Sequence, residues 1–245
     1  MWEIKDVDNY SELIEPNTYH SIMRDHLYIR ETDEKIFNLI NEKALKASNK
    51  LNICEIGAGT GALTELIVRI KNINLTIIEV DINFYTILVE KFSKYNNVTI
   101  VHADIMDYKF EESIDIFFSM GVHHHISKGE ATTHYLLHVK SNLSKGGIYL
   151  LADEFIPNYN NDKERTLNLI LWFAHIIESA RVQGFNMLAI EEARTLYYDI
   201  LGIEDYKNSL NDLDKELSNT ELIRGETIRF GPKDNIGGLY ICMLC

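Results

Sequence analysis

Two spacings of apolar positions alternate along this chain, and the switches between them mark its elements. From residue 1 to about 48, Ile14, Tyr19, Ile22 and Met23, then Ile36, Phe37, Leu39 and Ile40, recur at helical spacing, with a breaker at Pro16. The run 51–56 is too short for a helix and is ended by glycines, so it predicts a buried strand. Beyond it, helical spacing over 62–70 and 84–92 alternates with β-branched runs at 75–80, 98–102 and 114–119. A helix is expected at 131–142 and a fifth strand at 148–152, after Gly146-Gly147. Strands alternating with helices of this length require crossover connections and a parallel sheet covered on both faces. After Pro157 the rhythm changes to two helices, one carrying Leu167, Ile170, Leu171, Ala174 and Ile177 on one face, the other near 187–201. Two strand-like runs, 226–230 and 239–244, close the chain as an antiparallel hairpin. The expectation is a doubly wound α/β fold with a mostly parallel seven-stranded sheet. Residues 1–48 form an N-terminal helical lid, and residues 49–245 a Rossmann-like domain with a helical insertion at about 157–205.

Composition narrows the class. The 245 residues are 46% hydrophobic with only 3 Pro, which excludes collagen-like and disordered chains. With 24 Lys+Arg against 37 Asp+Glu, the formal charge is -13, and no local basic patch interrupts it. Such a surface repels a nucleic-acid duplex or an anionic membrane. The start, Met1-Trp2-Glu3-Ile4-Lys5-Asp6, lacks a signal peptide's cationic and apolar regions, and no apolar run is long enough to span a bilayer. Three cysteines, an odd and sparse set, fit a reducing cytoplasm.

The strongest chemical signal is Glu55-Ile56-Gly57-Ala58-Gly59-Thr60-Gly61, between the first strand and the first crossover helix. Glycines there allow a tight turn and close backbone approach to a ligand. The string is ambiguous alone, because Gly57, Gly59 and Ala62 also satisfy the dinucleotide pattern G-x-G-x-x-A. Three carboxylates bear on the choice. Glu55 lies in the strand before the glycines, where a pyrophosphate gains nothing from it. Asp81 is expected to end the second strand, where an acid accepts ribose hydroxyls. Asp104 follows the third strand, placed to accept from an exocyclic amine while Ile105 flanks a base. Acids ending three successive strands describe a site for a nucleoside that carries positive charge.

On these residues the sequence resembles the class I S-adenosylmethionine-dependent methyltransferases from about residue 51 to the end. Glu55–Gly61 is similar to the family's first motif, Asp81 to its ribose acid, and Ala103-Asp104-Ile105 to its adenine contact. The run from Ser119 through Met120, Gly121 and Val122 to His123-His124-His125 resembles the fourth-strand motif of small-molecule members. The closing hairpin resembles their antiparallel seventh strand, inserted between strands five and six. The resemblance implies S-adenosylmethionine as cofactor, held by Glu55, Gly57, Ala58, Gly59, Gly61, Asp81, Ile82, Asp104, Ile105 and Met120. It implies methyl transfer to a small-molecule O, N or C nucleophile by in-line displacement, with a place in secondary metabolism. No nucleic-acid partner is expected, because residues 119–122 lack the Asn/Asp-Pro-Pro-aromatic string of amino-methylating enzymes. The alternatives are a donor-binding protein of the same fold that promotes another reaction, and an NAD-dependent oxidoreductase.

The acceptor side is carried by weaker signals. His123, His124 and Glu154, at the expected carboxyl edge of the sheet, and His175, in the helical insertion, are candidates for orienting or deprotonating an acceptor. No metal site is expected: consecutive histidines cannot all face one centre, and no Asp, Glu or Cys lies at helical spacing beside them. Cys242 and Cys245 would face opposite sides of a strand and cannot chelate together. Tyr19-His20 and His26-Leu27-Tyr28 could complete the lid, and Lys163 and Arg165 could meet a substrate carboxylate.

Overall fold

The computed structural model describes residues 10–12, 14–126, 128–203 and 205–245; the start of the expected lid, residues 1–9, lies outside them. Strands β1 (Leu51–Ile56), β2 (Ile73–Glu79), β3 (Val98–His102), β4 (Ile114–Met120), β5 (Leu143–Phe155), β6 (Arg224–Phe230) and β7 (Gly238–Leu244) form one sheet in the order β3-β2-β1-β4-β5-β7-β6. β1 to β5 pair in parallel, and β7 runs antiparallel to both neighbours, β5 and β6. The expected hairpin and its inserted last strand are therefore present. The strand order reverses between β1 and β4, and ligands of such sheets bind at the carboxyl edge of that switch point.

Both faces of the sheet are dry because most successive residues of its central strands are apolar. Ile53, Phe118, Leu150 and Ile241 point to one layer, and Cys54, Phe117, Leu151 and Cys242 to the other. The first layer is covered by α2 (Ile29–Lys46), α3 (Thr64–Ile67) and α4 (Ile82–Phe92). The second is covered by α5 (Glu130–Asn142) and α8 (Leu210–Leu217). Ile36, Ile40 and Ala44 of α2 are at most 3% exposed within that core, so this helix belongs to the sheet layer and not to a lid. Among the described residues of the expected lid, α1 (Pro16–Asp25) and the 3-10 turn Tyr10–Glu12 before it reach the glycine loop and the start of α4. The insertion comprises α6 (Asp162–Gln183) and α7 (Asn186–Leu201), and with α8 it extends to 217, beyond the expected 205.

Two expected elements differ. The helix read over 62–70 shortens to the four residues of α3, because Gly61 and the turns on either side consume the rest. β5 begins at Leu143: its register jumps from Ile114–Leu143 to Ile116–Ile148, so the Gly146-Gly147 turn sits as a bulge inside the strand. Among the described residues, no helix is long and apolar enough to cross a membrane.

Candidate functional site

The glycine loop leaves β1 at the switch point. Gly57, Gly59 and Gly61 have φ of +64°, +54° and +83°, backbone that side chains rarely adopt. A Cβ on Gly57 would lie 2.6 Å from Val122, and one on Gly61 2.6 Å from Phe92, so neither position admits a side chain. The loop is anchored by the Gly57 N–H, which donates to the Ile78 carbonyl at 2.8 Å.

The acids divide into distinct roles. Glu55 is buried and accepts from the Thr64 hydroxyl at 2.7 Å; burial pushes its carboxyl up to about 8, with Asp33 and Glu79 adding repulsion. Glu79, which sequence reasoning missed, ends β2 and accepts the Gly59 N–H at 2.7 Å on one oxygen and the Asp81 N–H at 2.9 Å on the other. Burial raises its pKa as well. Asp81 does not end the strand: it is the N-cap of α4. One of its oxygens accepts from Asn83 N–H, Phe84 N–H and the Ser11 hydroxyl, and the other from the Ser11 N–H. Asp81 Oδ1 is spent on the fold, whereas Asp81 Oδ2 and each Glu79 oxygen carry a single bond, so both acids keep acceptor capacity. The alternation in Ile77-Ile78-Glu79-Val80-Asp81 was the available signal: an acid at either position could end the strand, and only the register of β2 decides. Val80 and Ile82 are exposed beside this acid, Asp104 turns after β3 with the Met106 N–H on its carboxylate, and Ile105 is buried. Met120 ends β4, half-buried.

This cradle is covered. Tyr19 of α1 stacks on Phe84 with centroids 4.9 Å apart, and its ring comes within 3.3 Å of where a Gly59 Cβ would be. His20 Nδ1 pairs with the Thr60 hydroxyl at 2.8 Å. Burial and the carboxylates of Glu79 and Asp81 hold the Tyr19 phenol above its usual range.

The acceptor-side candidates do not converge. His123 is buried and its Nε2 pairs with Glu216 of α8 at 2.9 Å, which ties the turn down. His175 pairs through Nε2 with the Tyr28 hydroxyl at 3.0 Å, in a stack with Tyr28 and Trp172. Glu154 is immobilised: Lys207 Nζ lies 3.1 Å away, Trp172 Nε1 donates at 3.2 Å, and His26 Nε2 is 3.4 Å away. Burial raises the Glu154 pKa, but the Lys207 and His26 charges more than reverse it, so Glu154 stays an ionised carboxylate that is only weakly basic. Arg165 pairs with the buried Asp199 carboxylate, so it is not available to a substrate.

His124 is the candidate that remains. It lies in the 3-10 turn His123–His125 after β4, and its Nδ1 meets the buried Asp153 carboxylate of β5 at 2.5 Å. Burial lowers the His124 pKa, and the Asp153 charge raises it further than burial lowers it; the same pairing leaves Asp153 below its ordinary value. With Nδ1–H donated to Asp153, the neutral ring keeps its lone pair on Nε2. Spacing could not reveal Asp153 and Lys207 as partners, because they meet His124 and Glu154 only across the sheet edge.

The geometry of loop, acids and edge agrees with the comparisons. Residues 23–149 match the family model described as ribosomal RNA adenine dimethylase. The rRNA adenine N-6-methyltransferase of Escherichia coli is 29% identical over 141 residues, 57% of this chain and 54% of that protein. The ribosomal RNA small subunit methyltransferase A of Listeria welshimeri is 37% identical over 87 residues, 36% of this chain and 29% of its own length. The chain thus spans about half the length, or less, of these relatives. The cyclopropane synthase MmaA2 from Mycobacterium tuberculosis superposes over 98% of this chain and 99% of its own with a TM-score of 0.64 at 11% identity, which is a likeness of fold. These relatives correct the expectation of a small-molecule acceptor with no nucleic-acid partner, since all are named for ribosomal RNA, and the family and the Escherichia coli protein for its adenine. The oxidoreductase alternative finds no support among them. With more than half of its residues under that family model and the donor cradle inside the matched stretch, the chain belongs to the ribosomal RNA adenine dimethylase family of class I S-adenosylmethionine-dependent methyltransferases.

Proposed function

We propose that this chain transfers a methyl group from S-adenosylmethionine to the exocyclic amine of an adenine in ribosomal RNA, a cytoplasmic acceptor. The observation that carries the reading is the family match over 23–149, which contains the glycine loop, Glu79, Asp104 and the turn with His124. Bound there, the donor would supply an electrophilic methyl group on a positively charged sulfur that leaves as a neutral thioether. The residues suit such a ligand: Gly57 and Gly59 bring backbone close, Glu55 and Glu79 supply negative charge, and Val80 and Ile82 offer apolar surface for a base. Asp104 would accept from the base amine, as Ile105 and Met120 line its surroundings. We assign α1 and the turn before it the role of a lid that excludes water, which an in-line displacement needs more than it needs covalent help.

At the acceptor edge this chain carries Ser119-Met120-Gly121-Val122 in place of an Asn/Asp-Pro-Pro-aromatic string. The hydrogen-bond acceptor for an amine would then be His124 Nε2, oriented by Asp153. The family match ends at 149, so the insertion helices α6 and α7 near this edge, and α8, lie outside it.

The test is methyl transfer from tritiated donor to purified ribosomal RNA and to ribosomal subunits, followed by digestion and nucleoside chromatography. Label in N6-methyladenine, lost in His124→Ala, is the expected result. Donor binding without label in any RNA would overturn the acceptor and leave a donor-binding protein of this fold.

A further inference from the structure

We propose that the acceptor edge contains a site for a divalent cation of the zinc class, held by His124, His125 and Asp205. One ligand atom of each lies within 4.8 Å of the others, close enough for small side-chain rotations to bring all three onto one ion. The obstacle foreseen for adjacent histidines is removed by the backbone: in the 3-10 turn, the rings of His124 and His125 come to 4.1 Å between centroids. The third ligand comes from 80 positions further along the chain, where the Tyr206 N–H donates to the His124 carbonyl at 2.7 Å and fixes residue 205 against the turn.

Three further features favour an ion. His124 gives Nδ1 to the buried Asp153 carboxylate, the outer contact that orients metal-binding imidazoles and raises their basicity. Two imidazoles and one carboxylate suit zinc and its neighbours better than magnesium or calcium, and three protein ligands leave a position open. The edge is rich in carboxylates: Asp153, Glu154, Glu192, Asp199 and Asp205 lie here, with Lys207, Arg165 and His26 among them. Lys207 Nζ lies 3.1 Å from each Asp205 oxygen, and each oxygen keeps a further lone pair. His125 is exposed, which gives an ion a path in. Because His124 Nε2 cannot accept from an amine and hold a cation together, an occupied site would close this edge to methyl transfer.

The test needs no methyl acceptor, so it stands or falls apart from the RNA reading. Untagged full-length protein is titrated with Zn²⁺ by calorimetry and with Co²⁺ by its visible ligand-field absorption. One saturable ion per chain is expected. His125→Ala and Asp205→Asn should weaken it at least about tenfold, and Asp153→Asn by about 10–100-fold, the range for losing an outer contact. The distant, exposed His134→Ala should leave it unchanged. Circular dichroism verifies the fold of each variant, and the exposed His125 decides if Asp205→Asn unfolds. No saturable binding, or equal affinity in folded His125→Ala, would overturn the site.

Discussion

Glu79 and Asp81 stand two residues apart, yet the fold uses them for different purposes. Asp81 closes the first turn of α4, and losing such a cap costs about 0.5–2 kcal/mol of stability. Glu79 faces the glycine loop through the Gly59 amide, in the place where a donor's hydroxyls would need acceptors. A hydrogen bond to a charged group contributes about 1.5–3 kcal/mol, so Glu79→Gln should weaken donor binding by about tenfold or more. Asp81→Ala should lower the melting temperature and leave donor binding no weaker once the protein is folded, since it also frees the Ser11 segment. Calorimetric titration of both variants with S-adenosylmethionine measures this, and the reverse ranking would make Asp81 the ribose acid.

Among elements, α1 and its preceding turn cover the glycine loop and the start of α4, the contacts behind the proposed lid. Ser11 donates from both its N–H and its hydroxyl to Asp81, while Tyr19 covers Gly59 and His20 holds Thr60. A donor reaching Glu79 must displace this cover, so the contacts of the closed form compete with binding. Ser11→Ala removes one of them, worth about 0.5–1.5 kcal/mol, and should tighten donor binding by about two- to tenfold. Stopped-flow association should show the gain in the on-rate. Unchanged kinetics would mean that the segment opens without breaking the Asp81 contact. Helix α2 would not respond in this way, since Ile36 and Ile40 are wholly buried against the sheet.

At the scale of the whole molecule, buried titratable groups set the response to pH. Glu55, at about 8, and Glu192 and Asp205, at about 7, bind protons in the fold that the unfolded chain releases near pH 4. Folding is therefore favoured at low pH by these groups, and that stability is lost as pH rises from about 4 through 8. For His26, burial alone would lower the pKa, but Glu192 and Glu154 push it up to about 9; its contribution is complete below about 6.5 and lost as pH rises through 9. Asp153 and Glu154 act in the opposite sense, with stability present above their unfolded values and lost on acidification. The thermal midpoint should peak in the mildly acidic range and decline towards pH 9. Glu55→Gln, which cannot ionise but keeps an acceptor for Thr64, should flatten the alkaline decline; an unchanged slope would assign the effect elsewhere.

The sequence by itself determined the sheet, its closing hairpin and the donor loop. These rest on local rules: apolar runs of strand length, helical spacing between them, and glycines where the backbone must turn left-handed. Donor-side residues are legible because the turns that follow β1 and β3 hold them close together along the chain. Which acid faces the loop was settled by the register of β2, which a run of alternating acids does not specify. The roles of His123, His124, Glu154 and His175 were decided only by tertiary structure, because each depends on a partner from a distant element: Glu216, Asp153, Lys207 and Tyr28. Charge and the missing fourth-strand string pointed to a small molecule, whereas the relatives are ribosomal RNA methyltransferases. Net charge is a sum over the surface, and the contacts that select an acceptor occupy only the few residues that the fold gathers at one edge of the sheet.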